Sequence, residues 1–501
     1  MSARPASAAS DGGSSHRQGS IARNAFHLLV GQVLTTALSI ALHSLLGRSL
    51  GAVEFGVLFL VTSWTSFVGD ITAWGVGALL VTRVARDASM AGPLLGAAIA
   101  FRVAATALVL GPAVLLIRLL GYDSPTQELF AIAIVTSVPL SVATLYGWVM
   151  RGHERMGRDA LVTVAAKALA LALVVPVLLG GGGVASILVA QGVAGLGGLV
   201  IAEWQRRRLG LPRLRVEWRH VRDIAVLGVP VVVLSLQVGA QAFLDSLLVS
   251  KLAPPDVVGW YGAAKTLLGF LVTPAAIIAS ASFPALSRSA GTPGALVNEI
   301  RKVRRPLIWL GALASAGTWL FADVAVGLVY GKRGFGPASV AVQVFGVSLL
   351  LVFVDSLVSY VLLAVERSRQ LAVGKLLSVA VSVGVAWWAI PWCQARFGNG
   401  AIGSALGFGA GEVFMVVAGV LVMPRGVLGW ADAVDLGRGV VAAIATVAVL
   451  RVVPATSPVV AIPLSVAVFA AAGALTGLAR PRDLAGRRSA LHRRRGKGWC
   501  R

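Results

Sequence analysis

Stretches of about twenty apolar residues, each followed by a short polar segment, succeed one another along almost the whole chain. A helix of that length spans the roughly 30 Å hydrocarbon core of a bilayer. Hydrophobic residues make up 57% of the chain and charged residues 13%, at a mean hydropathy of +0.83. We therefore predict an all-α polytopic membrane protein with fourteen transmembrane helices. The predicted spans are 24–46, 57–81, 94–117, 129–150, 160–179, 184–203, 223–250, 257–284, 306–329, 338–364, 371–392, 400–423, 437–453 and 459–478.

Basic residues are abundant in alternate loops and scarce in the loops between them. Of the 44 Lys and Arg residues, 34 lie in the two terminal segments and the even-numbered loops, seven in the odd-numbered loops and three inside spans. Three residues close to the ends of predicted spans are counted here with the adjacent loops: Lys375, Arg438 and Arg451. This bias is the positive-inside pattern, so both termini are predicted to be cytoplasmic. Because the basic residues are spread over many loops, the net charge of +23 does not indicate nucleic-acid binding.

The two ends of the chain are polar. Residues 1–20, rich in Ser, Ala and Gly, are predicted to be a disordered cytoplasmic tail and are too polar for a signal peptide. The basic tail 480–501 either lies on anionic headgroups or is a solvated end. Cys393 and Cys500 fall on opposite faces of the membrane, so neither a disulfide nor a metal cluster is predicted.

Two groups of six spans share local sequence features. Residues 46–56, between spans one and two, align with residues 249–259, between spans seven and eight: each has a basic residue, then a carboxylate, then a glycine. The corners at 152–155 and 365–367 also correspond. The pattern predicts a parallel repeat of two lobes around a central cleft. The predicted segments are the tail 1–20, a six-helix lobe 21–205, a basic linker 206–222, a six-helix lobe 223–425, two extra helices 436–479 and the tail 480–501.

Three ordered strings carry a family resemblance: LGRSLGAVEFGVLFLVTS, FLDSLLVSKLAPPDVVGWYGAAKTL, and LLAVERSRQLAVGKLLS followed by GNGAIGSALGFGAGE. Together they resemble the polysaccharide transport family, the Wzx-type flippases of the multidrug/oligosaccharidyl-lipid/polysaccharide (MOP) exporter superfamily, over about residues 20–425. The resemblance implies a V-shaped pair of lobes in the bacterial plasma (inner) membrane. It also implies alternating access that moves an undecaprenyl-pyrophosphate-linked oligosaccharide outward, with membrane lipids and glycan polymerase machinery as further partners.

Charged residues inside the predicted spans are the candidate functional groups, because each costs about 2.5 to 3.5 kcal/mol at mid-membrane on insertion scales. A pyrophosphate crossing the bilayer needs cations that replace its water. Arg102 and Lys265 are the leading candidates for substrate binding, and Lys167 is the third. Two alternatives stay open: Lys265 forms a structural bridge to Asp245, or Lys167 extends to the headgroups.

Four carboxylates lie in the spans as well: Asp70, Asp245, Asp355 and Glu412. They are predicted either to couple transport to protons or to form interhelical hydrogen bonds. On the last predicted span of the second lobe, glycines recur at 403, 407 and 411, a spacing that lets a neighbouring helix approach closely.

Motifs for ATP binding, metal binding and nucleophilic catalysis are absent from the sequence, so we predict no cofactor, no metal site and no enzymatic activity. Two other cargoes remain open within the same superfamily: small cations or drugs, and a peptidoglycan lipid precursor. A membrane polysaccharide polymerase or ligase is disfavoured because the odd-numbered loops, of about four to twelve residues, leave little room for an external catalytic site.

Overall fold

The computed structural model describes residues 11–331, 334–424, 426–427, 429–452 and 457–477. The first ten residues and the predicted basic tail lie outside them. All regular structure among the described residues is helical. The helices are α1 Asp11–Ala73, α2 Val76–Arg86, α3 Ala91–Leu119, α4 Ser124–Gly152, α5 Met156–Leu179, α6 Val184–Arg208, α7 Trp218–Leu252, α8 Pro255–Ser289, α9 Pro293–Tyr330, α10 Ala338–Ala364, α11 Ser368–Phe397, α12 Ala401–Val422, α13 Trp430–Val452 and α14 Pro458–Leu475. A short 3-10 turn covers Ala88–Met90.

Within the described residues, twelve helical segments are long and apolar enough to cross a membrane. This confirms the prediction of an all-helical, multi-pass membrane protein. Predicted spans one and two fall in one continuous segment, and α7 is not among the twelve. The count of fourteen therefore stays a prediction.

Helix α1 contains a reversal of the chain at Gly51. The backbone there has φ 75° and ψ 179°, a conformation open to glycine because it has no Cβ. A straight helix of 63 residues would be about 95 Å long. However, Gly31 lies against Ala160, just after the corner between α4 and α5, and Val84 of α2 lies against Gly152, just before it. The first part of α1 and helix α2, which follows its second part, therefore reach the same corner. Helix α1 is thus a hairpin that turns at Gly51, where the sequence predicts the first loop.

The chain divides into two compact units, unit 1 (Met1–Phe243) and unit 2 (Leu244–Arg501). In unit 1 the basic corners lie together: Arg83 Nη1 is 2.8 Å from Asp223 Oδ2, and Arg158 Nη1 donates to Gln205 Oε1 at 2.6 Å. In unit 2 the Arg367 guanidinium likewise donates to the Val422 carbonyl at the next basic corner. Within each unit, the corners rich in Arg therefore meet at one end, as the alternating charge pattern predicts.

Two corners that the sequence repeat aligns have the same unusual backbone. Glu154 follows α4 with φ 58°, and Glu366 follows α10 with φ 60°. In both, the amide of the next residue donates to a carbonyl five residues back: Arg155 to Met150 at 2.9 Å and Arg367 to Leu362 at 2.8 Å. This is the Schellman ending of a helix, which glycine usually provides. The shared turn supports the alignment of these corners; the two-lobe repeat as a whole stays a prediction.

Helices α13 and α14 pack on α9. The Trp309 and Phe469 rings are 5.3 Å apart, and Gly439 lies against Ile308. An ion cluster joins α9 to α13: the buried Arg304 contacts both Asp432 and Asp435. The cluster is completed by Arg305 Nε, 3.3 Å from Asp435 Oδ2, and Arg438 Nη1, 3.0 Å from Asp435 Oδ1.

Replacing Arg304 with Met should weaken this attachment. Asp435 keeps two other arginines but Asp432 loses its buried partner, so we expect the free energy of unfolding to fall by about 2 kcal/mol. Thermal and denaturant unfolding of the purified protein in detergent measures the change. Arg301→Met is the matched control, because Arg301 is exposed on the same helix. Equal stability of the two variants would contradict the role of the cluster.

Candidate functional site

Asp245 and Lys265 form a buried ion pair in unit 2. Asp245 is on α7 with 0% of its surface exposed, and its Oδ2 is 3.1 Å from Lys265 Nζ on α8. The Tyr261 hydroxyl, one turn before Lys265, donates to the same oxygen at 3.2 Å. The structure therefore contains the bridge that the sequence left open as the alternative for Lys265.

Two aromatic rings cover the Lys265 ammonium. Its Nζ lies 4.3 Å from the centroid of Phe408 on α12 and 5.4 Å from that of Phe345 on α10. Ring faces attract a cation when water is excluded. Lys265 is thus held by helices α7, α10 and α12 together, with 19% of its side chain exposed.

A second ion pair links α10 to α11. Lys375 Nζ contacts Asp355 Oδ2, and the Ser359 hydroxyl donates to Asp355 Oδ1 at 3.2 Å. Lys375 was assigned to a basic loop in the sequence analysis, but it is the eighth residue of α11. Its ammonium is largely buried, with 20% of the side chain exposed. Lys375 is the functional candidate that the sequence analysis missed.

Spacing in the sequence could have identified both pairs. Asp245 and Lys265 are 20 residues apart, as are Asp355 and Lys375. The midpoints, Pro255 and Val365, lie at the corners between the paired helices. A residue ten positions from a helical corner lies about 15 Å along the axis, so each pair meets at about the middle of a 30 Å core.

Glu412 lies between the two pairs. It occupies the middle of α12, one turn after Phe408, and interacts electrostatically with Asp355, Lys375 and Lys265. Its Oε2 is buried and has no hydrogen-bond partner among the described residues. Both lysines bind aspartates, so the cluster holds two ammonium groups and three carboxyl groups.

Two neighbouring faces of α12 differ: one packs against α11, and the other carries Phe408 and Glu412. Gly403, Gly407 and Gly411 face α11, where an added Cβ would meet the backbone of Ala389, Ser382 and Ser378 respectively. The close approach predicted from the glycine spacing is therefore confirmed. Phe408 and Glu412 follow the second and third glycines directly, so this approach fixes the position of both side chains.

In unit 1, Arg102 and Asp70 lie near one another. Arg102 on α3 is 8% exposed, and its Nη1 donates to the Gly69 carbonyl at 3.0 Å. Its Nε is buried and has no partner in the part of the chain that the structure describes. Asp70 interacts electrostatically with Arg102. The Asp70 carboxylate occupies the space beside Gly239 that a Cβ would fill. Glycine at 239 is thus required for the carboxylate to lie against α7.

Lys167 lies on α5 of unit 1. Helix α5 begins at Met156, so Lys167 lies about 16 Å along its axis. It interacts electrostatically with His43 of α1, whose Nδ1 is 2.8 Å from the Ser39 carbonyl. Among the described residues, no three His, Cys, Asp or Glu side chains are close enough together to hold a metal ion.

A comparison with sequence families gives the decisive observation. Residues 21–290, just over half of the chain, match the family described as "Polysaccharide biosynthesis protein". The chain belongs to this family. The resemblance stated from the three strings is therefore confirmed. No curated protein sequence matches the chain.

Solved structures of several transporters share the fold of this family member. A lipid II flippase, MurJ, in an inward closed conformation is 11% identical, covers 91% of this chain and 99% of its own, and has a TM-score of 0.73. An inward-facing multidrug resistance transporter of the MATE family is 16% identical, with coverages of 85% and 100% and a TM-score of 0.61. A MOP superfamily transporter from Pyrococcus furiosus is 17% identical, with coverages of 84% and 96% and a TM-score of 0.56.

Proposed function

We propose that this protein is a flippase that moves an undecaprenyl-pyrophosphate-linked oligosaccharide from the inner to the outer leaflet of the bacterial plasma membrane. Its membership in a polysaccharide biosynthesis family carries the proposal. The fold supports it, because a lipid II flippase has the same fold over 91% of this chain. In this proposal both termini are cytoplasmic, transport proceeds by alternating access to the two faces of the membrane, and glycan polymerase machinery receives the product.

Arg102 and Lys265 are the proposed contacts for the pyrophosphate, with Lys167 as a third. A diphosphate leaving water needs charged donors in its place, and an arginine can offer two parallel N–H groups. Arg102 supports this role best, because its Nε lacks a partner while Nη1 is anchored on Gly69. Lys265 must exchange Asp245 for the phosphate, since its ammonium already contacts the aspartate.

A multidrug exporter is the second candidate, favoured by one observation. The cluster in unit 2 has three carboxyl groups for two ammonium groups, which suits a cationic cargo better than an anionic one. The multidrug transporter of the MATE family with a TM-score of 0.61 has the same fold.

Reconstituted vesicles separate these functions. The probe is a fluorescent polyprenyl-diphosphate-linked oligosaccharide whose outer-leaflet fraction is read by a membrane-impermeant quencher. Lipid II and a cationic dye are the alternative probes. Movement of the oligosaccharide alone supports the proposal; movement of lipid II alone assigns the peptidoglycan precursor, and dye efflux alone assigns drug export.

The same vesicle assay tests whether Arg102 and Lys265 bind the substrate. Arg102→Gln should lower the rate at which the lipid-linked oligosaccharide reaches the outer leaflet by at least about tenfold. Removing one partner of a buried charge pair costs about 2 kcal/mol or more. Lys265→Ala would leave Asp245 unpaired, so the informative variant is Asp245→Asn with Lys265→Gln. Arg118→Gln, exposed at the end of α3, is the control and should transport normally. Unchanged transport in a folded Arg102→Gln protein would exclude Arg102 from the anion site.

A further inference from the structure

The charge balance of the cluster in unit 2 points to a bound proton. Its groups come from five helices: Asp245 on α7, Lys265 and Tyr261 on α8, Asp355 on α10, Lys375 on α11 and Glu412 on α12. Fully ionised, with Tyr261 neutral, three carboxylates and two ammonium groups leave one negative charge in excess. A buried charge without a partner is strongly disfavoured in a low-dielectric interior.

Hydrogen bonding shows which carboxyl group is in excess. Asp245 Oδ2 has Lys265 and Tyr261, and Asp355 has Lys375 and Ser359. Among the described residues, Asp245 Oδ1 and Glu412 Oε2 are both buried without a hydrogen-bond partner. Asp245 still holds an ammonium group through its other oxygen, whereas no ion pair within the described part of the chain involves Glu412. Two lysines lie close enough to act on Glu412 electrostatically, yet each is bonded to an aspartate. The excess negative charge therefore falls on Glu412.

We propose that Glu412 is a proton-binding residue, neutral in this structure, whose ionisation draws Lys375 or Lys265 away from its aspartate. A proton satisfies the site better than a metal cation, because two ammonium groups already flank it and a cation would add to their repulsion. When the proton leaves to water, three carboxylates compete for two ammonium groups. The exchange of a lysine between α12 and either α7 or α10 then changes which helices are held together.

The arrangement joins proton binding to the proposed anion site, a step that rests on the proposed function. Lys265 is one of the two lysines that Glu412 can attract, and its ammonium is also the proposed contact for the pyrophosphate. A protonated Glu412 leaves Lys265 with Asp245, whereas an ionised Glu412 competes with both aspartate and phosphate. A proton gradient would in this way change the affinity for the anion.

Infrared spectroscopy of the purified full-length protein in detergent tests the proton without any transport assay. Wild type should show the carbonyl stretch of a protonated carboxylic acid at neutral pH, shifted in D2O. Glu412→Gln should lose that signal, and Glu128→Gln, which changes an exposed glutamate, should retain it. An identical signal in wild type and Glu412→Gln would overturn the proposal. A signal that appears only in sodium-free buffer would also overturn it, since a sodium ion would then occupy the site.

Transport in vesicles tests the coupling separately. With a pH gradient imposed, wild type should move the polyprenyl-diphosphate oligosaccharide several-fold faster than without one, and Glu412→Gln should move it at one rate in both conditions. Equal stimulation of wild type and Glu412→Gln would reject the coupling. If no lipid-linked probe moves at all, the flippase proposal fails, while the infrared result still decides whether Glu412 binds a proton.

Discussion

Replacing Asp245 with Asn is expected to destabilise the protein by about 3 to 5 kcal/mol, because breaking a buried ion pair leaves an uncompensated charge. Lys265 would keep the Phe345 and Phe408 rings and its electrostatic interaction with Glu412, but it would lose the carboxylate that it contacts directly. Asparagine nearly preserves the shape of the side chain, so the loss reports charge rather than volume. Chemical unfolding in detergent, followed by tryptophan fluorescence, measures the change.

A matched pair of variants identifies the cause of the destabilisation. Asp123→Asn makes the same substitution at an exposed position before α4 and should change stability by less than about 0.5 kcal/mol. Adding Lys265→Met to Asp245→Asn should restore most of the lost stability, because both charges are then removed. If the double variant is no more stable than Asp245→Asn alone, burial of an unpaired charge is not the reason.

Replacing Gly403 with Leu is expected to separate α12 from α11. Even the Cβ would meet the backbone of Ala389 and Ile390, which no rotamer can avoid. Forcing extra carbon atoms into a packed interior costs about 1 to 3 kcal/mol, and more when backbone must move. Phe408 and Glu412 follow on the same helix, so transport should fall further than stability alone explains.

Gly384 provides the control for that substitution. It lies on the exposed side of α11, and an added Cβ meets nothing within 4 Å. Gly384→Leu should therefore leave stability unchanged or raise it slightly, since leucine has a higher helix propensity than glycine. Thermal unfolding and the vesicle assay on both variants give the comparison. If the two leucines have equal effects, close packing of α11 on α12 is not essential.

Most of the membrane architecture could be predicted from the sequence. Hydrophobic length determines where a helix crosses the bilayer, since backbone polar groups must bond internally there. The turn at Gly51, the glycine stripe on α12 and the gathering of basic corners within each unit all follow from local pattern. These features depend on residues close in sequence or on the solvent, so hydropathy and spacing were enough.

The candidate site was predicted less completely. Every deep charge named from the sequence is present on a helix, but its partner depends on how the helices rotate about their axes. Lys375 shows this most clearly: it was counted among the loop cations although it lies within the predicted span 371–392, and in the structure it pairs with Asp355 of α10. The equal spacing of the two Asp and Lys pairs was visible in the sequence. It indicated contact only once the structure placed helical corners at their midpoints, Pro255 and Val365.

The sequence by itself determined a multi-pass helical protein, its family and the residues whose burial must be compensated, because insertion energy depends on residue type and length. Only the tertiary structure decided that Lys265 is neutralised by Asp245, that Lys375 is neutralised by Asp355, and that Glu412 Oε2 is buried with no hydrogen-bond partner among the described residues. The reason is physical: a buried charge takes the nearest partner in space, and that partner is set by helix packing.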